Sequence, residues 1–148
     1  MSLPAFETVL VATDGSESVE RAVTVALDLA ARFEARVETL YVLDGDELSG
    51  SPDRVREDLR YALQETGGEA LVEARRRAVA HGVEVTTAVR EGRPADEILA
   101  HARESGADVV TTGTRGRHGE HRLLVGSVAE RVVRSCPVPV LTVRRLDG

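Results

Sequence analysis

Apolar runs of strand length recur about every thirty residues in this chain, and between them the apolar spacing changes to that of a helix. Glu7 to Thr13 (ETVLVAT) is apolar at nearly every central position and stops at Asp14-Gly15-Ser16, as a buried strand ending in a turn does. From Val19 onward, Val19, Ala22, Val23, Ala26, Leu27, Ala30 and Phe33 fall on one helical face. Arg36 to Leu43 (RVETLYVL) is a second strand, closing at Asp44-Gly45. The polar stretch Asp44 to Ser51 reads as a loop, and Ser51-Pro52 as N-cap and first residue of a helix running toward His81, with Gly82 as its left-handed stop. Gly67-Gly68 predicts a break in that helix or two helices in sequence, because each interior glycine costs about 1 kcal/mol relative to alanine. Val83 to Val89 alternates as a strand. Gly92-Arg93-Pro94 opens a helix with Ala95, Ile98, Leu99 and Ala102 on its apolar face, ended by Gly106. Asp108 to Thr112, a loop from Thr114 to Val125, a helix from Ser127 to Ser135 and a last strand Pro139 to Val143 complete the chain.

A β-α-β-α-β-α-β-α-β order at this cadence is the pattern of right-handed crossovers building an open, five-stranded parallel sheet with helices on both faces. At 148 residues, one α/β domain spanning 1–148 is expected, with no length for a separate substrate domain. Ligands of such sheets sit outside the carboxyl ends of the strands, where strand order reverses. The turns after the first and fourth strands are therefore the places to look for chemistry.

Composition removes several function classes. The formal net charge is −6, and there are two Phe, two Tyr and no Trp. Such a chain repels a phosphate backbone and has few rings for stacking bases, so no nucleic-acid partner is expected. All 19 cationic residues are arginine, which excludes a P-loop lysine, a Schiff base and a lysine general base. A single cysteine, Cys136, excludes an internal disulfide framework and reads as a small, partly buried apolar residue. Met1 to Glu7 carries no basic region followed by an apolar stretch, and no apolar run approaches about 18 residues, so the expectation is a cytoplasmic protein with no membrane partner.

After the fourth strand comes Gly113-Thr114-Arg115-Gly116, then nine residues, then Gly126-Ser127. Glycines at this spacing let the backbone approach a ligand closely and permit positive φ, so that successive N–H groups converge on an anion. Gly126-Ser127 also opens a helix whose first-turn amides and dipole favour a phosphate, and Arg115, Arg117 and Arg122 share the loop. A ligand-free alternative exists: Ser127 with Glu130 has the spacing of a capping box, and loop glycines serve turns. Asp14 likewise has two readings, orienting a ribose or metal, or capping its own turn. His118 and His121 lack a third metal ligand nearby and read as exposed loop residues, and Arg75-Arg76-Arg77 as a solvated helix face.

The run from Gly113 to Arg144 resembles the C-terminal signature of the universal stress protein family, whose nucleotide-binding members carry G-2x-G-9x-G-[S/T]. The strand into Thr13-Asp14-Gly15-Ser16, the Tyr41-Val42-Leu43 strand and the Gly92-Arg93-Pro94 helix start are similar to the family too. That resemblance implies a sheet in the order 3-2-1-4-5 and ATP lying across the ends of strands one and four. Thr13 and Asp14 would lie near base and ribose, and Val42 against the adenine. Gly113, Thr114, Arg115, Gly116 and Arg117 would line the phosphate loop. Gly126, Ser127 and Val128 would hold phosphates through backbone N–H groups and the serine hydroxyl, with Mg2+ or Mn2+ bridging the phosphates. The family's last strand pairs antiparallel with its twofold mate, which implies a homodimer through Pro139–Val143. Thr112, in place of an apolar residue, and the longer acidic stretch from Gly45-Asp46 depart from the pattern. Two functions compete: an ATP-binding stress-response module with at most slow hydrolysis, and a dimeric interaction protein whose glycine loop is structural. No catalytic residue is assigned.

Overall fold

The computed structural model describes residues 6–114 and 126–146. Five strands, β1 (Thr8–Thr13), β2 (Arg36–Asp44), β3 (Val85–Gly92), β4 (Val109–Gly113) and β5 (Val140–Val143), form one sheet in the order β3-β2-β1-β4-β5. Every pairing is parallel. Between them run α1 (Glu20–Phe33), preceded by a 3-10 turn over Glu17–Val19, then α2 (Gly45–Ser49), α3 (Asp53–Ala80), α4 (Pro94–Ser105) and α5 (Ser127–Ser135). The strand order is the one the family resemblance implies, and the two-sided helical cover agrees with the sequence pattern.

Both faces of the sheet are closed, because successive strand residues point to opposite sides. Val9, Val11 and Val37 pack with Val23 and Leu27 of α1 and Ala74 and Ala78 of α3. Leu10, Ala12 and Leu40 pack with Ile98 and Ala102 of α4 and Val132 of α5. The central strand β1 is buried at all six residues, which explains its unbroken apolar run. Among the described residues no helix is long and apolar enough to cross a membrane.

Several boundaries differ from the sequence expectation, Glu7 and Pro139 among them, each lying just outside its strand. The acidic stretch after β2 is the helical turn α2 and not a loop, because the Asp44 carboxylate accepts the Asp46 N–H at 2.9 Å and caps it. Pro52, not Ser51, is the N-cap of α3. Val83 and Asp108 lie outside their strands. The Val83 N–H donates to the Ala78 carbonyl (2.9 Å) and closes α3, next to Gly82 at φ +70°. The Asp108 carboxylate instead accepts the Glu7 and Thr8 amides at 2.9 and 3.0 Å.

The expected break at Gly67-Gly68 is absent, and α3 runs unbroken for 28 residues. Gly67 faces the sheet, where the fully buried ring of Tyr41 lies so close that a Cβ on residue 67 would stand 2.3 Å from Cδ1. Tyr41 packs there with Leu63 and Leu71 of the same helix. Burial of the ring against the bare backbone offsets the poor helix propensity of glycine.

Candidate functional site

Strand order reverses at β1, whose neighbours β2 and β4 lead to connections on opposite faces of the sheet. The register fixes what meets there. Thr13 pairs with Tyr41, so Asp14 follows beside Val42. Val11 pairs with Thr111, so Thr13 and Gly113 end their strands at one level. The Thr114 N–H continues the ladder to the Val143 carbonyl at 3.1 Å. Thr13, Asp14, Val42, Gly113 and Thr114 are thus gathered at the carboxyl end of the sheet. Thr13, Val42 and Thr114 are buried, and Val42 joins the core cluster that includes Ala95 and Ile98 of α4.

The turn after β1 is self-supporting. Asp14 Oδ1 accepts both the Ser16 N–H (2.9 Å) and the Ser16 hydroxyl (2.6 Å), and Thr13 Oγ1 accepts the Gly15 N–H (3.1 Å). Of the two readings of Asp14, the turn cap is the one seen. Among the described residues its second oxygen, Oδ2, makes no hydrogen bond. Gly15 has φ +79°, and a Cβ there would lie 2.9 Å from Thr66 Cγ2 of α3. Thr66 therefore braces the turn from behind. Nothing in the sequence marks that role, because a threonine inside a helix carries no turn signal.

On the other side of the switch point, the Gly126 N–H donates to the Thr114 carbonyl, which ties the start of α5 to the residue that follows β4. Gly126 is the N-cap of α5, with φ −73° and ψ 168°. Two sequence expectations change here. The capping box does not form: Ser127 is the first helical residue, so Glu130 is one position too far along, and its carboxylate pairs with Arg134. Gly126 also has no positive φ. A glycine N-cap supplies no side-chain acceptor, which leaves the amides of Ser127 and Val128 uncapped by it. Ser127 is exposed and Val128 is at the edge of exposure. Arg115, Gly116 and Arg117, together with His118, Glu120, His121 and Arg122, lie outside the described residues. Among the described residues no group of three or more His, Cys, Asp or Glu side chains is placed to hold a metal ion.

Strand ends and a helix start that meet where the strand order reverses occupy the position at which doubly wound α/β proteins bind their ligands. The chain belongs to the universal stress protein family, whose model matches residues 5–144. A universal stress protein of Methanocaldococcus jannaschii, MJ0531, is 37% identical over 141 residues, covering 95% of this chain and 83% of that one. Among solved structures, the hypothetical protein MJ0577 is 26% identical with a TM-score of 0.86, covering 98% of this chain and 100% of that one. A universal stress protein in complex with cAMP is 30% identical with a TM-score of 0.70, covering 95% and 98%. A universal stress protein from Archaeoglobus fulgidus in complex with dAMP is 25% identical with a TM-score of 0.65, covering 94% and 98%.

Proposed function

We propose that this chain binds ATP in the crevice between the ends of β1 and β4 and acts as a cytoplasmic, nucleotide-responsive stress module. The observation that carries the reading is the start of α5. Its N-cap is a glycine without a side-chain acceptor, whose N–H donates to the carbonyl of Thr114 just past β4, and the amides of Ser127 and Val128 follow it. Helix-start amides at a switch point take phosphate without a lysine, and this chain has none. The G-2x-G-9x-G-S spacing and the cAMP and dAMP complexes of two relatives favour an adenine nucleotide.

In this arrangement Thr13 and Asp14 edge the base and ribose, Val42 closes the floor under the adenine, and Gly113, Thr114, Arg115, Gly116 and Arg117 border the phosphates. Mg2+ or Mn2+ would accompany the nucleotide and neutralise charge on its phosphates. Hydrolysis is slow at most, because the spacing forces no general base and Asp14 Oδ1 is engaged in its own turn. A homodimer forms through Pro139–Val143, where β5 is the sheet edge and Leu141 is exposed.

The test is to purify the protein, denature it and chromatograph the released small molecules, then to titrate Mg·ATP while following the melting temperature. At a hundredfold excess over Kd the ligand adds about 2.7 kcal/mol of stability. For a chain of this size that is a rise of roughly 5–10 °C. No released nucleotide together with an unchanged melting temperature would leave the ligand-free interaction protein as the better account.

A further inference from the structure

The core explains one of the two glycines in α3 and not the other. Tyr41 needs the space at Gly67, whereas a Cβ on Gly68 would meet nothing within 4 Å. Gly68 weakens its helix, and the isolated fold gains nothing from it.

Gly68 lies on the solvent side of α3 in line with three apolar residues, Tyr61, Val72 and Val79, which are 68%, 69% and 69% exposed. At about 100° per residue, their spacing puts all four within about 20° of one line along the helix. Single exposed apolar residues are ordinary, but three aligned about a glycine form a seam.

We propose that this seam pairs with α3 of a second copy of the chain, antiparallel and about a twofold axis. The occupant is specified by the seam's self-complementarity. Turned end for end about its midpoint it falls on itself: Tyr61 comes opposite the partner's Val79, and Gly68 opposite the partner's Val72. The bare backbone at Gly68 makes room for the valine and lets the helices approach closely. The charges match under the same operation. Glu65 and Arg76 lie on the same flank of the seam, and the twofold axis brings each opposite the other's counterpart, forming two ion pairs per interface. Arg76 is already oriented by Glu73, which accepts from Nε at 2.9 Å and Nη2 at 2.6 Å. That leaves Nη1 for Glu65, which makes no ion pair among the described residues.

α3 covers β2 and β3, at the end of the sheet opposite β5. Pairing through α3 therefore does not compete with pairing through the last strand, and it stands independently of the nucleotide reading.

Sedimentation of the full chain over a hundredfold concentration range tests it, comparing the wild type with Gly68→Arg. A side chain at position 68 meets open space in the single chain, so the variant keeps its fold, which circular dichroism verifies. The wild type is expected to reach at least twice the limiting mass of Gly68→Arg. Glu65→Arg alone lowers the mass, and Glu65→Arg with Arg76→Glu restores it. Equal masses for the wild type and Gly68→Arg throughout, or a double exchange that fails to restore what the single exchange removes, overturns the proposal.

Discussion

The neighbouring glycines of α3 yield a prediction with opposite signs at adjacent positions. Replacing an interior helical glycine by alanine is worth about 1 kcal/mol when nothing opposes the new methyl group. At Gly68 nothing does, so Gly68→Ala is expected to raise stability by about 1 kcal/mol and the melting temperature by roughly 2–4 °C. At Gly67 the added Cβ would stand 2.3, 2.4 and 2.7 Å from Cδ1, Cε1 and Cγ of Tyr41. Carbon atoms settle at about 3.5–4.0 Å, so ring or helix must retreat by more than about 1 Å. The ring is rigid and fully buried, which places the strain near the top of the range of about 1–3 kcal/mol for overpacking. After the propensity gain of about 1 kcal/mol, Gly67→Ala is expected to lose about 2 kcal/mol. The two variants then differ by about 3 kcal/mol. Urea unfolding followed by circular dichroism, at concentrations low enough to keep chains apart, resolves such a gap easily. A Tyr41→Leu background supplies the control, since Gly67→Ala should lose most of its penalty there. If both alanine variants stabilise the wild-type protein equally, the packing of Tyr41 against α3 is not what keeps this helix continuous.

Further outcomes follow from the site and its surroundings. Gly126→Val should keep the fold, because φ −73° and ψ 168° suit any L residue, with the poorer N-cap costing up to about 1 kcal/mol, or roughly 2–4 °C, while abolishing the rise with Mg·ATP; a normal rise would place the phosphates elsewhere. Gly15→Ala should destabilise by about 1–2 kcal/mol through its φ of +79°, with the contact to Thr66 adding to the loss; chemical denaturation reading less than about 0.5 kcal/mol would contradict the described turn. The pKa of His101 is held below its ordinary 6.5, first by burial and also by the nearby Arg90 cation, against the opposing pull of Glu38 and Glu104. The folded state thus binds the proton less readily than the unfolded chain, so this contribution to stability is complete above pH 6.5 and is lost as pH falls through the lowered folded value. An NMR titration of the ring should show a midpoint below that of a free histidine peptide, and an equal or higher midpoint would contradict the burial.

Where the physics is local, the sequence was legible. The apolar run of β1 identifies a strand buried on both faces, and its end at Asp14-Gly15-Ser16 places the turn that the structure describes. Pro94 starts α4 and Gly106, at φ +66°, ends it, both from intrinsic backbone preference. Signals failed where the compensating partner is distant in the chain. Gly67 looks like a helix breaker until Tyr41, on a strand that precedes the helix, is seen to occupy its missing side chain. Asp108 looks like the first residue of its strand until its carboxylate is seen to hold the amides of Glu7 and Thr8. Thr66 and Gly15 belong to one contact that no spacing rule links.

The site shows the same division, with one difference that bears on function. Gly15 is required by the fold: its φ is positive, and a helix stands against the position its Cβ would take. Gly126 has an extended conformation that imposes no such demand, so backbone strain gives no reason for a glycine there. Ser127-x-x-Glu130 has the spacing of a capping box, yet the helix begins one residue too early for it. A glycine N-cap offers the amides of Ser127 and Val128 no side-chain acceptor, and in the proposed nucleotide reading those amides take phosphate. On that reading Gly126→Val removes the rise with Mg·ATP at a small cost in folding, whereas Gly15→Ala acts first on the fold through its positive φ.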